Sequence, residues 1–187
     1  MFGDPAKAQE SWQKVQQQEL YKNWSEKYAA IQEVKRFASI PQKSVKTQDD
    51  ESLINAVTQV AMPSTSMRGS PDMAAKAQRE AQPIMEVVGE AWKELTKQQI
   101  LTAGTRQRLL AMGQRRAQYL EQGAASVIKS QAPLTHRATF VPPQQFLNSA
   151  EMELYSGGGT TPPGASGSYK TTTLPSGRQV AVPVNPS

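Results

Sequence analysis

The stretch that decides the fold is residues 71–131, which read PDMAAKAQREAQPIMEVVGEAWKELTKQQILTAGTRQRLLAMGQRRAQYLEQGAASVIKSQ. Pro71 and Asp72 follow a serine, and this order of N-cap, proline and acid is typical of a helix start. Apolar and small side chains then return at one helical phase for about 45 residues. The sequence therefore predicts a long amphipathic helix over residues 70–131.

One face of this helix holds most of its large apolar side chains, and small residues such as Gly113 and Ala117 lie among them. The rest of the chain offers few large apolar residues to cover that face, so we expect it to pack on a partner helix. The residues of this predicted partner-helix seam are Ile84, Val88, Trp92, Leu95, Leu109, Leu110, Leu120 and Ile128.

Two alternatives for this helix stay open. A proline twelve residues into a helix removes a backbone hydrogen bond, so one continuous helix would be kinked near Pro83. The apolar pattern lapses over residues 98–106, where Thr102 and Arg106 fall in the apolar arc, so a helical hairpin broken near Gly104 is the competing interpretation. Pro133 is expected to end the pattern.

The first 62 residues are predicted to be an N-terminal helical segment. Asp4 and Pro5 are a start signal, and no further proline or glycine occurs before Pro41, which favours one helix over about 5–38. A short helix over about 50–61 follows, capped by Asp49 or Asp50.

Residues 132–187 contain 8 of the 13 prolines and are predicted to be an extended arm. Its low-complexity part, residues 156–168, is typical of a linker. Two β-prone runs on either side of a Pro-Ser-Gly turn predict a terminal β-hairpin over residues 169–184.

Composition sets the expected fold class. Leu, Ile, Val and Phe total 33 of 187 residues, about 18%, which lies below the roughly 20% associated with disorder, although the net charge of +5 is modest. The sequence thus predicts a mainly α protein of extended long helices, non-globular and assembly-dependent, with a Pro/Gly-rich C-terminal arm and a terminal β-hairpin.

A basic cluster lies between residues 95 and 120, which contain no acid. Such a stripe could contact a phosphate backbone or a lipid surface, or it could be an ordinary solvated face with salt bridges to a partner. The residues expected to contact nucleic acid or membrane are Lys97, Arg108, Arg115 and Arg116.

Catalytic and metal sites are not expected. The chain has no cysteine and one histidine, His136, and the run Gly157–Gly159 lacks the Lys-Ser/Thr ending of a phosphate loop. Glu86, Glu90 and Glu94 lack the Glu-x-x-His pattern of helical di-metal sites. We expect no enzyme activity, no cofactor and no metal, and we find no secretory signal or transmembrane run.

The segments LTAGTRQRLLAMGQRR, residues 101–116, and GAASVI, residues 123–128, carry a family resemblance. They resemble the small internal virion (ejection) and portal-proximal structural proteins of short-tailed bacteriophages. Proteins of that kind are Ala- and Gln-rich helical proteins, packaged in the capsid and then expelled to help form a conduit for DNA.

The resemblance implies a virion structural protein that assists DNA delivery through protein–protein packing. Its implied partners are copies of itself or other virion proteins, with DNA as a candidate partner and the envelope membrane as a contact after delivery. Its implied location is the virion, after synthesis in the host cytoplasm. The alternative is a cytoplasmic helical adaptor or scaffold that binds a partner through its amphipathic helix.

Overall fold

The computed structural model describes residues 3–41, 47–63, 71–157, 169–173 and 179–183. Within these residues the protein is mainly helical, as the sequence predicts. The chain divides into two compact units at Gly157. The described residues up to Gly157 are called the helical body below.

Seven α-helices and one 3-10 helix build the described part of the helical body. The α-helices are α1 Pro5–Gln16, α2 Glu19–Glu26, α3 Tyr28–Ser39, α4 Thr47–Ala61, α5 Pro71–Gln98, α6 Ala103–Thr139 and α7 Ser149–Ser156. The 3-10 helix is Pro143–Gln145, between α6 and α7.

The central element is α6, which packs against each of the other six α-helices. Leu109, Ala124 and Ile128 on its inner face have no solvent-exposed surface. At Gly113 the neighbouring helices approach closely, because an added Cβ would lie 2.9 Å from Val57 Cγ2 and 3.3 Å from Val34 Cγ1. The absence of a side chain at Gly113 therefore sets the distance at which α3 and α4 pack on α6.

The helical body has one continuous hydrophobic core, so the expectation of extended, non-globular helices is wrong for this part of the chain. The share of Leu, Ile, Val and Phe underestimates the apolar material of this core. Residues outside that set, such as Trp12, Trp24, Ala30, Ala61 and Ala117, fill much of the core. Small residues let helices approach closely, and closely spaced helices need fewer large side chains between them.

The single helix predicted over about 5–38 is also wrong, because α1, α2 and α3 occupy that range with turns at Gln17–Gln18 and at Lys27. Trp12 and Tyr21 both bond to the carboxylate of Glu151. Nine residues of unbroken helix would turn these two side chains about 180° apart. The shared contact with Glu151 therefore requires the turn at Gln17–Gln18. The sequence contains no proline or glycine there that would predict it.

The range predicted as one long helix contains two helices, α5 and α6, separated by residues 99–102. The hairpin alternative is therefore the one that the structure contains. Gln99 adopts the left-handed conformation with φ 59°, which ends α5, and the Thr102 side chain caps α6 by accepting from the backbone N–H of Thr105. The predicted N-cap before Pro71 lies outside the described residues.

Neither proline within these helices ends them. α5 continues through Pro83, and α6 continues through Pro133 to Thr139, so the helix end predicted near residue 131 is wrong. Pro83 is exposed and Pro133 half-buried. On a helix side that meets solvent, water can bond the carbonyl that each proline leaves without its usual donor.

Residues 132–157 belong to the helical body, which corrects the arm predicted to begin at residue 132. Val141, Phe146 and Leu154 are buried in the same core as α6. Ser156 ends α7, and residues 158–168 of the predicted linker lie outside the described residues.

The second unit has two described strands, β1 Tyr169–Thr173 and β2 Gln179–Pro183. They pair antiparallel, with Tyr169 opposite Pro183 and Thr173 opposite Gln179. The turn of the predicted hairpin and residue 184 lie outside the described residues.

Candidate interaction surface

The predicted partner-helix seam lies inside the helical body. Six of its eight residues are buried in the core, namely Ile84, Val88, Leu95, Leu109, Leu120 and Ile128. The other two, Trp92 and Leu110, are half-buried and pack against the same core. The surface that the apolar face needs is thus supplied by the chain's own helices, which corrects the expectation of an external partner at these positions.

The structure separates the four basic residues expected to contact nucleic acid or membrane. Lys97 lies in the last turn of α5, so it does not share a helix with Arg108 and Arg115. Arg108 is exposed and lies 3.7 Å from Glu90 of α5. Arg116 is only 12% exposed at its side chain and lies 3.4 Å from Glu80. Of these four residues, only Arg115 is an exposed cation of α6 without an ion pair to a described residue.

Two further basic residues lie on the exposed side of α6. Lys129 lies within the predicted helix, and Arg137 lies in the part of α6 beyond residue 131. Stepping about 100° per residue places both within about 40° of Arg115. The ten residues within that arc are called the outer face of α6. They are Gly104, Arg108, Ala111, Arg115, Tyr119, Gln122, Ser126, Lys129, Pro133 and Arg137.

Nine residues of the outer face are exposed and Pro133 is half-buried. Four of the ten are cationic and none is acidic. Arg115, Lys129 and Arg137 form no ion pair with a residue that the structure describes, whereas Arg108 faces Glu90. The outer face therefore presents positive charge that the helical body does not neutralise.

A buried carboxylate joins both ends of the helical body. Glu151 of α7 is 0% exposed and accepts from Trp12 Nε1 at 3.0 Å and from Gln16 Nε2 at 2.9 Å. The Tyr21 hydroxyl also donates to it. Burial, reinforced by this carboxylate, raises the pKa of Tyr21 above its ordinary range. These contacts fasten α1 and α2 to α7.

A second buried pair fixes the turn between α5 and α6. Asp50 is 0% exposed and its Oδ1 accepts from Arg106 Nε at 2.7 Å. Its Oδ2 accepts from Arg106 Nη2 at 2.8 Å and from the Leu101 backbone N–H at 3.0 Å. Asp50 thus joins α4 to the start of α6 in the same chain. The prediction that Asp49 or Asp50 caps the start of this helix is wrong, because α4 begins at Thr47.

Lys27 lies in the turn between α2 and α3, and its buried ammonium lies at the C-terminal end of α4. It is 7% exposed, and its Nζ donates to the backbone carbonyls of Val60, at 3.4 Å, and Met62. Burial, with a further contribution from the nearby Arg116 charge, lowers the pKa of Lys27 to about 8. Its ammonium meets carbonyls that the C-terminus of α4 leaves without helical donors.

The single histidine of the chain lies near the end of α6. His136 Nδ1 lies 2.9 Å from the Val141 carbonyl oxygen, next to the end of α6. No group of three or more His, Asp or Glu side chains suited to a metal occurs within the described ranges. The titratable groups buried here serve as links between helices.

Lys129 lies on the polar face of the predicted helix but is not among the four residues expected to contact nucleic acid or membrane, and Arg137 lies beyond the predicted helix end at residue 131. The signal for Arg137 was available, since this residue keeps the phase of Arg115 when the helix is stepped past Pro133. The Glu151 contacts had no comparable signal, because Trp12 and Glu151 are separated by 139 positions.

Among the described helices, none is both long and apolar enough to cross a membrane. No family model, no curated protein and no solved structure matches this chain.

Proposed function

We propose that this protein is a structural component of a bacteriophage virion, an internal, ejection or portal-proximal protein that assists DNA delivery. In this proposal the helical body is the unit that packs within the particle. The chain after Gly157 is an arm that docks on a neighbouring virion protein.

The observation that carries the proposal is the division of the chain at Gly157 into a helical body and a separate small unit. The two strands described in the small unit form a two-stranded sheet. Such a sheet is marginal alone, and pairing with a further strand on a partner would stabilise it. A folded body with a separate docking element suits a protein that assembles with neighbours.

The bacteriophage assignment rests on the resemblance at residues 101–116 and 123–128. The amphipathic face no longer supports it, because that face is internal. The same fact removes the main support for the adaptor alternative, in which this face would bind a partner. Protein contacts of the body are proposed for exposed apolar side chains such as Leu20, Leu134 and Phe140.

Mass spectrometry of purified particles tests the proposal. We expect the full chain in particles at a fixed copy number. A chain ending at Gly157 should keep its helical circular dichroism, because its core lies within residues up to 157, but should be lost from particles. Absence of the full chain from particles would rule out the virion role. Normal incorporation of the truncated chain would rule out docking by the chain after Gly157 but would leave the virion role in place.

A further inference from the structure

We propose that the outer face of α6 is a binding surface for duplex DNA, which it contacts through the phosphate backbone without reading the base sequence. The inference goes beyond the virion role, and it can fail separately because DNA binding is measured on the purified full chain.

The first support is the distribution of charge. On α1 and α3, exposed cations have acids beside them on the same helix, such as Lys14 with Glu10 at 3.1 Å and Arg36 with Glu33 at 2.7 Å. On the outer face, Arg115, Lys129 and Arg137 have no such partner among the described residues. Cations of this kind can each neutralise a phosphate and release its counterion.

The second support is length. From Arg108 to Arg137 the helix rises about 44 Å, at 1.5 Å per residue. One turn of duplex DNA spans about 34–36 Å, so the row of cations is long enough to follow a duplex over about one turn. A folded helix of this length can contact several phosphates with little loss of backbone freedom.

The third support is the chemistry between the cations. Tyr119, Gln122 and Ser126 are exposed on the same face and have the hydroxyl and amide donors that commonly bond phosphate oxygens. Tyr119 is the only aromatic residue of the ten, so there is no row of rings on which unpaired bases could stack. Duplex DNA fits this surface better than a single strand.

Two acids lower the positive charge at the N-terminal end of the outer face. Glu90 lies 3.7 Å from Arg108, and Glu80 lies 3.4 Å from Arg116 beside the face. Both reduce the positive potential near the N-terminal half of α6. Arg115, Lys129 and Arg137 should therefore contribute most of the binding.

A lipid surface is the main competitor for these cations. Helices that lie on membranes bury an apolar face in the lipid while their cations meet the headgroups. In α6 the apolar face is already buried in the core of the body. The outer face itself offers Tyr119 as its one large exposed ring, which leaves little to insert into lipid.

Fluorescence anisotropy with a labelled duplex of about 30 base pairs tests the inference over a series of salt concentrations. The logarithm of the binding constant should fall with the logarithm of salt concentration at a slope of about −0.9 per phosphate contacted. The triple variant Arg115→Gln, Lys129→Gln, Arg137→Gln should reduce the magnitude of that slope by about 2.7 and weaken binding roughly tenfold or more. Arg115→Gln alone should reduce it by about 0.9.

The matched control is the triple variant Lys7→Gln, Lys14→Gln, Arg36→Gln, on α1 and α3. Both triple variants remove three positive charges from the formal net charge of +5, leaving +2. The control should bind DNA nearly as well as the native chain. Equal losses in both variants would show that net charge alone drives binding and would overturn the proposal, as would a native slope near zero.

Vesicles separate DNA from lipid. Native protein that binds vesicles containing anionic phosphatidylserine, but not the duplex, would overturn the proposal in favour of a membrane surface. Circular dichroism should give the same melting temperature for all variants, because exposed substitutions of this kind usually change stability by less than about 0.5 kcal/mol.

Discussion

The indole Nε1 of Trp12 donates to the carboxylate of Glu151 across 3.0 Å, and this bond joins the first helix of the body to its last. A carboxylate without solvent is costly unless hydrogen bonds surround it. Glu151 meets that requirement through Gln16, Tyr21 and the Asn148 backbone N–H, the last at 2.7 Å. Glu151 therefore holds α7 on the body by hydrogen bonds, beside the apolar packing of Leu154.

Glu151→Ala should lower the free energy of unfolding by about 3 kcal/mol or more, because several buried donors lose their acceptor together. Urea denaturation followed by circular dichroism measures the loss. Glu153→Ala on the same helix is the control, since Glu153 is exposed and should change stability by less than about 0.5 kcal/mol. Comparable losses in the two variants would contradict a central role for the Glu151 contacts.

The sequence predicted which residues of α5 and α6 share an apolar face, but not what that face contacts. Helical phase is a local property, so Leu109, Leu120 and Ile128 could be grouped from their spacing alone. Whether they meet the same chain or another depends on pairings with α1–α4, across long sequence separations. Composition gave the wrong answer because alanine at positions such as Ala117 and Ala124 builds core without counting as a large apolar residue.

The pair Asp50–Arg106 should behave as a coupled unit. Arg106→Leu leaves a fully buried carboxylate beside an apolar group, and breaking a buried pair in this way should cost about 3–5 kcal/mol. Asp50→Leu combined with Arg106→Leu should recover part of that loss, because neither charge then remains unpaired. Urea denaturation of the two single variants and the double variant gives the coupling free energy between Asp50 and Arg106. Strictly additive losses of unfolding free energy would show that the two residues are not coupled.

Gly113→Ala should lower the free energy of unfolding by about 1–3 kcal/mol, because the new Cβ meets Val57 Cγ2 at 2.9 Å where α4 crosses α6. Gly89→Ala is the matched control in α5, where no atom lies within 4 Å of the added Cβ. That control should gain about 0.5–1 kcal/mol from helix propensity. The melting temperature should therefore fall for Gly113→Ala and rise for Gly89→Ala. A rise in both variants would show that the contact between α4 and α6 has space for the added methyl group.

Burial of Lys27 should make the body more stable as pH rises from 8 towards 10. The Lys27 ammonium loses its proton near pH 8 in the folded chain but only near the ordinary lysine pKa of 10.5 in the unfolded chain. Between these two pH values the unfolded state binds more protons, so a rise in pH stabilises the folded state. Above about pH 10 the trend should reverse, because the pKa of Tyr21 is raised by folding and the unfolded chain ionises first. Urea denaturation at half-unit pH steps measures both limbs. Lys27→Met should flatten the rise between pH 8 and 10, and a rise of equal size in that variant would assign it to another group.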